Sequence, residues 1–275
     1  MARLITGADF GALMTGDSNG VGPGHNRFID RLGTPRGVGA AMYPYFRDST
    51  VFVEDDFIED TISSTRWNLA ADATATTFAW SSGAGGRIAG ATGTTDNGYH
   101  AINGDVIWSG DKNCGMAIRW QMDVVTAFTF EIGFTDALSD ETLPAVTDVD
   151  TPATGNGATD VAVVHLDTDQ TLTTAAFVAE STGTAYAAQK VNLGTWTPTA
   201  AKWYTTIVQL SGDNAFTATY NTDVAGSPVL QAGTNKGLSL ALEGGTLVRP
   251  HFLVGTRSTA DKATLIDFIR CWQDR

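Results

Sequence analysis

With 275 residues, 43% of them hydrophobic and only 17% charged, the chain suits one large β domain or two small ones. A formal charge of −13 excludes a nucleic-acid or anionic-membrane binder, because a phosphate backbone rewards clustered Lys and Arg. No apolar run reaches the ~18–20 residues that cross a bilayer.

The first fifty residues hold nine glycines and no sustained periodicity. GDSNGVGPGHNR is broken by Gly, Pro and Asn at every turn, and MYPYF (Met42 to Phe46) sets aromatics around Pro44. This reads as an extended arm over residues 1–50, ordered by contact with its own body or a partner. Five arginines against four aspartates give the arm a net charge of +1 and leave −14 to the rest. Arg3, Arg27, Arg31, Arg36, Tyr43, Tyr45 and Arg47 are therefore its candidate partner-binding residues. The segment MARLITGADFGALMTGDSNG lacks a continuous apolar h-region, so no signal peptide is expected and synthesis is placed in the cytoplasm.

At the end of the arm, VEDDFIED (Val53 to Asp60) packs five carboxylates into eight residues, with Phe52 and Phe57 expected to seat the first strand. Strands then follow one another. In GMAIRWQMDVV, Met116, Ile118, Trp120, Met122 and Val124 share one face, the strict alternation of a half-buried strand. AFTFEIGF points Phe128, Phe130, Ile132 and Phe134 inward, and the short VTA before it predicts a hairpin between the two. Residues 136–160 are a long polar insertion with six acids, too irregular for an EF-hand, and read as a solvated loop. WYTTIVQL and AFTATYN flank Ser211-Gly212-Asp213-Asn214 and predict a second hairpin; LSLAL, HFLVGTR and TLIDFIRCW complete the chain. Turn signals every 8–12 residues make this an all-β antiparallel sandwich of jelly-roll type over residues 51–275.

Several stretches, in order, resemble the concanavalin A-like, laminin G-like jelly rolls. These are the entry DDF with Trp67, the AIRWQMDVVTAFTFEIGFTD stretch, the WYTTIVQLSGDNAFTATYNTD hairpin, and the closing VGTRSTADKATLIDFIRCWQDR. A glucanase family within that fold uses E-x-D-x-x-E, the spacing of Glu54, Asp56 and Glu59, and the resemblance would make Glu54 the nucleophile and Glu59 the acid/base. Retaining chemistry sets those carboxyls ~5–5.5 Å apart. Against it, the triplet stands at the domain's entry, Asp55 crowds it with like charge, and no Trp or Tyr platform lies beside it.

No G-x-S-x-G, Walker loop or H-E-x-x-H occurs, so the chain is read as having no catalytic residues. His25, His100, His165 and His251 are isolated in sequence, and neither they nor Cys114 and Cys271 form a metal-ligand cluster; no cofactor and no metal are expected. The two cysteines read as buried free thiols, with a disulfide as the alternative.

The arm, the acidic Thr/Ala/Gly-rich body and the missing catalytic set resemble a tailed-bacteriophage virion structural protein. That resemblance implies a non-enzymatic capsid decoration protein in the virion, bound to the major capsid protein or other virion proteins and to copies of itself, as a homo-oligomer. The alternative is a carbohydrate-binding, lectin-like module. For it, Trp108 in IWSGD and Trp196 in GTWTPT border turns and are the candidate sugar platforms, whereas Trp120, Trp203 and Trp272 read as core.

Overall fold

The computed structural model describes residues 50–274 apart from 59–60, 83–85, 138–143, 149–152, 155–157, 171–173, 181–189, 212–213, 224–227 and 240–245. The expected arm residues, from Arg3 to Arg47, lie outside the described residues, and the first strand opens at Thr50.

In chain order the strands are β1 (Thr50–Asp55), β2 (Asn68–Ala71), β3 (Thr76–Trp80), β4 (Ile88–Ala91), β5 (Tyr99–Asn103), β6 (Trp108–Ser109), β7 (Gly115–Met122), β8 (Phe128–Thr135), β9 (Val146–Asp148) and β10 (Ala153–Thr154). They continue with β11 (Val161–Asp167), β12 (Ala176–Glu180), β13 (Lys190–Asn192), β14 (Tyr204–Ser211), β15 (Asn214–Asn221), β16 (Val229–Leu230), β17 (Lys236–Ser239), β18 (Leu247–Thr256) and β19 (Ala263–Asp274). One sheet, the β7 sheet, runs β16-β15-β14-β7-β19-β4-β3, with β1 beside β19 and β17 beside β15. The other, the β8 sheet, runs β13-β12-β11-β8-β18-β5-β2, with β6 beside β18. The expected all-β antiparallel sandwich is the observed architecture.

Alternation decides which side chains fill the gap between the sheets. From β7 come Met116, Ile118, Trp120 and Met122, and from β8 Phe128, Phe130, Ile132 and Phe134, all buried in one cluster. Trp120 ties the layers together, its ring 5.3 Å from Phe130 and 5.6 Å from Tyr204, with its indole N–H donated to Thr206 Oγ1 at 3.0 Å.

The predicted 203–221 hairpin forms, as β14 and β15 in register from Tyr204↔Asn221 to Ser211↔Asn214. The predicted hairpin between β7 and β8 does not. Those strands lie in opposite sheets, and Val125–Ala127 belongs to the crossing between layers, with Ala127 at φ +48°. Alternation reports which face is buried and says nothing of the layer. Both edges of each strand are taken elsewhere, β7 by β14 and β19, β8 by β11 and β18.

β19 carries a bulge that shifts its register on β7 between Ile266 and Phe268. Ile266 therefore faces inward, as do Ile269 and Cys271 beyond the bulge, while Phe268 and Trp272 join a cluster on the outer face. Trp272 is thus half-buried outside the sandwich, and Trp203 is half-buried beneath the Arg119 guanidinium, 4.6 Å from its ring centroid. Of the three tryptophans expected in the core, Trp120 alone is there. Parity in β1 also differs from expectation. Val51 and Val53 face the core, Phe52 stands opposite Trp272, and Phe57 is buried just beyond the strand.

Candidate functional site

Glu54, Asp55 and Asp56, the described carboxylates of VEDDFIED, take separate surroundings on folding. Glu54 binds Arg270, with Oε1 accepting from Nε at 2.8 Å and lying 2.7 Å from Nη2. Asp55 points elsewhere, accepting the Trp67 indole N–H at 2.9 Å and the Phe57 backbone N–H at 3.0 Å. Asp56 is exposed, and Glu59 lies outside the described residues. Glu54 is thus held by a guanidinium.

The chain leaving β1 shapes one edge of the sandwich. Phe57 turns with φ +52°, and Gly86 rests against it so closely that a Cβ at Gly86 would stand 2.6–2.8 Å from the Phe57 and Ile58 backbone. Beside that contact Ile58 is 64% exposed, and Trp80, the last residue of β3, is 39% exposed. Nearer the base of β1, Arg66, Trp67, Asp105, Ile107, Trp108 and Pro250 line a cleft of about 40 Å³. Arg66 and Asp105 are exposed and Ile107 is 49% exposed. That volume holds roughly one water or one small substituent. The end of β3 thus offers an open indole suited to a C–H face, and the cleft, separately, sets a cation and a carboxylate beside a notch, groups suited to hydroxyls.

The expected platforms are not formed. Trp108 is only 2% exposed and Trp196 6%; Trp196 packs edge-on against Tyr204 at 5.7 Å and against Phe130 at 6.4 Å. A turn in the sequence marks a strand end but not which way the ring swings, and both rings swing into the core. Trp80 was overlooked as a platform. Its signal is the TTFAW alternation, in which Phe78 turns inward and Trp80 follows on the same parity at an edge strand's end.

A second cluster lies on the outer face of the β8 sheet, where sequence reading placed only isolated histidines. Glu131 on β8 is directly opposite His165 on β11, and His251 on β18 is opposite Asn103 on β5. One Glu131 oxygen accepts from His165 Nδ1 at 3.1 Å and from the Val146 N–H at 2.7 Å. The other accepts from His251 Nε2 at 3.0 Å and from the Ala145 N–H at 2.7 Å. His251 Nδ1 continues the row to Asn103 Oδ1 at 2.6 Å. Glu131, His165 and Asn103 have no exposed surface, and His251 has almost none. Burial alone would raise the Glu131 pKa, but the hydrogen bonds and charges of His165 and His251 outweigh it and bring it down to about 2.

This row fixes the insertion. Ala137, Ala145, Val146 and Ala158 pack with Val161, Val163, Ala176 and Val178 on the outward side of the sheet, and Asp136 accepts from the Thr159 and Asp160 N–H groups at its base. The reading of 136–160 as a solvated loop is corrected for these residues. They form a cover, because β11 offers valines on both faces. Of its six acids, Asp140, Glu141 and Asp150 lie outside the described residues. Among the described residues no three His, Cys, Asp or Glu side chains are placed to hold a metal ion. Cys114 and Cys271 are buried free thiols, and His100 stacks on Phe78 at 4.6 Å inside the sandwich.

No protein-family model and no curated protein matches the chain. Solved structures do. A protein of unknown function from Shewanella oneidensis MR-1 is similar over 82% of this chain and 87% of its own, at 11% identity and a TM-score of 0.53. A seed lectin from Lotus tetragonolobus is similar over 82% and 99%, at 10% identity and a TM-score of 0.49. The catalytic domain of an endo-1,3-β-glucanase (laminarinase) from Thermotoga petrophila RKU-1 is similar over 83% and 99%, at 12% identity and a TM-score of 0.49. The likeness to the Shewanella structure bears on the fold alone and agrees with the all-β antiparallel sandwich seen here. The expectation that the chain is no enzyme is corrected by these comparisons, since glucanases stand beside lectins among the similar structures and the fold cannot carry that exclusion.

Proposed function

We propose that this chain is a carbohydrate-binding, lectin-like module that holds a saccharide at the sandwich edge bearing Trp80. One observation carries the reading. Of the seven tryptophans Trp80 is the most exposed, at 39%, and it stands at the tip of an edge strand. An indole face takes the C–H face of a sugar ring, while Arg66 and Asp105 at the notch suit hydroxyl groups. The test is a glycan array probed with the full chain. Saturable binding to one glycan class is expected, weakened at least ~10-fold by Trp80→Ala, a loss of about 1.4 kcal/mol, and less by Asp105→Ala. An array without signal, or binding indifferent to Trp80→Ala, rejects this reading. Trp196→Ala is unsuitable as a probe, because it would open the core.

A virion decoration protein, binding the capsid and its own copies through arm and sandwich edges, is the second reading. What favours it is the charge division, +1 in residues 1–50 against −14 in the body, which suits an arm that docks on acidic neighbours. The similar structures named above add nothing to it. Co-sedimentation with empty capsid shells of a parent phage is the expected result. A chain that stays in the supernatant as a monomer removes this second reading.

A further inference from the structure

We propose that the cleft near the base of β1 is a subsite for the acetamido group of an N-acetylhexosamine, which rests on the saccharide reading above and names its ligand class. Size and lining come first. The cleft measures about 40 Å³, room for roughly one water or one methyl group. Val53, Trp67, Trp108, Pro250 and Cys271 line it, and all but the half-buried Val53 are buried. Gly104 keeps the space open. A Cβ there would stand 2.9 Å from Pro250 Cδ, 3.1 Å from its Cγ and 3.4 Å from Trp67 Cζ3, against two of the lining rings.

A hydroxyl or a water would be poorly held inside. The Trp67 indole N–H is already given to Asp55 at 2.9 Å, and the Gly104 N–H to the Pro250 carbonyl at 2.9 Å. Pro250 has no N–H of its own, and a thiol such as Cys271 is only a weak donor. Burial pushes that thiol well above its ordinary pKa, so this wall carries no charge. A buried water needs roughly two to four polar partners, and a sugar hydroxyl placed there would lose its own. A methyl group loses none and buries apolar surface.

The mouth supplies the polar half. Arg66 and Asp105 line the same cleft and are exposed. Among the described residues neither side chain has a hydrogen-bond or ion-pair partner. An acetamido group complements all three features at once. Its methyl fills the notch, its carbonyl accepts from the Arg66 guanidinium, and its N–H donates to the Asp105 carboxylate. A deoxysugar has the methyl without the amide, and an O-acetyl ester lacks the N–H.

A glycan array probed with the full chain tests this, with each N-acetylhexosamine oligomer set beside its hexose, N-butanoyl, O-acetyl and deoxyhexose counterparts. The N-acetyl members should bind at least ~10-fold more tightly than the hexose members, the scale of one buried methyl and two added hydrogen bonds. The N-butanoyl members should fall back to the hexose level, because two further carbons exceed the notch. Asp105→Ala, a change at an exposed site, should cut the N-acetyl preference several-fold. Equal binding of hexose and N-acetyl members overturns the proposal and leaves the saccharide reading standing. So does equal binding of N-butanoyl and N-acetyl members, or a preference undiminished in Asp105→Ala. An array without any signal removes both.

Discussion

Replacing Glu131 with alanine is expected to destabilise the chain by about 4–5 kcal/mol, in line with removing one partner from a buried ionic cluster. The size follows from what the carboxylate holds. Its two oxygens accept four hydrogen bonds, from His165, His251 and the Ala145 and Val146 backbones, and none of those donors can reach water. Alanine strands all four and leaves a void beneath the insertion. At roughly 2–4 °C per kcal/mol for a chain of this size, the melting temperature should fall by on the order of 10 °C. Glu131→Gln keeps the shape and one accepting oxygen, so it should cost less, although its amide turns two donors toward other donors. Hydrogen exchange locates the effect. The Ala145 and Val146 amides should lose protection in Glu131→Ala while β7 amides keep theirs to the global limit. A melting temperature within a degree or two of the parent would mean that the row does not hold the insertion.

How much of this was legible depends on which interactions are local. Period-two alternation in 116–122 and 128–134 correctly marks the inward faces, and the 211–214 turn correctly marks a hairpin, because each signal is complete within about ten residues. Layer assignment is not local, so the identical alternation of β7 and β8 was read as a hairpin although it serves two sheets. The Glu131 row depends on three long-range registers. His165 lies 34 residues from Glu131 and His251 lies 120, and only the pairing of β11, β8 and β18 brings them together. One signal did exist. VAVVHLD is apolar at both parities, which a half-buried strand would not be, so it announces a cover on its second face. The bulge in β19 shows the converse limit. TLIDFIRCW contains no Gly or Pro to mark it, yet a single slipped residue moves Trp272 from the expected core to the outer face.

Acid should draw down the chain's stability over two separable pH intervals. His100 is buried between the sheets, against Phe78 and Thr264, and burial lowers its pKa from 6.5 to about 4, against smaller opposing effects of the Thr76 backbone and Asp261. Its folded pKa lies below its unfolded one, so the unfolded chain binds the proton more readily. The stability linked to neutral His100 is therefore complete above pH 6.5 and drains away as pH falls toward 4. Glu131 behaves alike in a lower window. Its pKa drops from 4.5 to about 2, so its contribution is complete above pH 4.5 and is lost between 4.5 and 2. At 1.36 kcal/mol per unit, each group withdraws about 3 kcal/mol, and the two together approach the whole stability of an ordinary domain. Urea midpoints measured from pH 7 down to pH 3 should begin to fall below pH 6.5, before Glu131 can contribute. His100→Leu should flatten the interval between pH 6.5 and 4.5, and Glu131→Gln should flatten the interval below 4.5. A parent curve that is level down to pH 4.5 would contradict the assignment to His100. A fall below 4.5 that persists in Glu131→Gln would contradict the assignment to Glu131. The two intervals can be told apart because the groups sit on opposite faces of the β8 sheet, His100 inside the sandwich and Glu131 beneath the insertion.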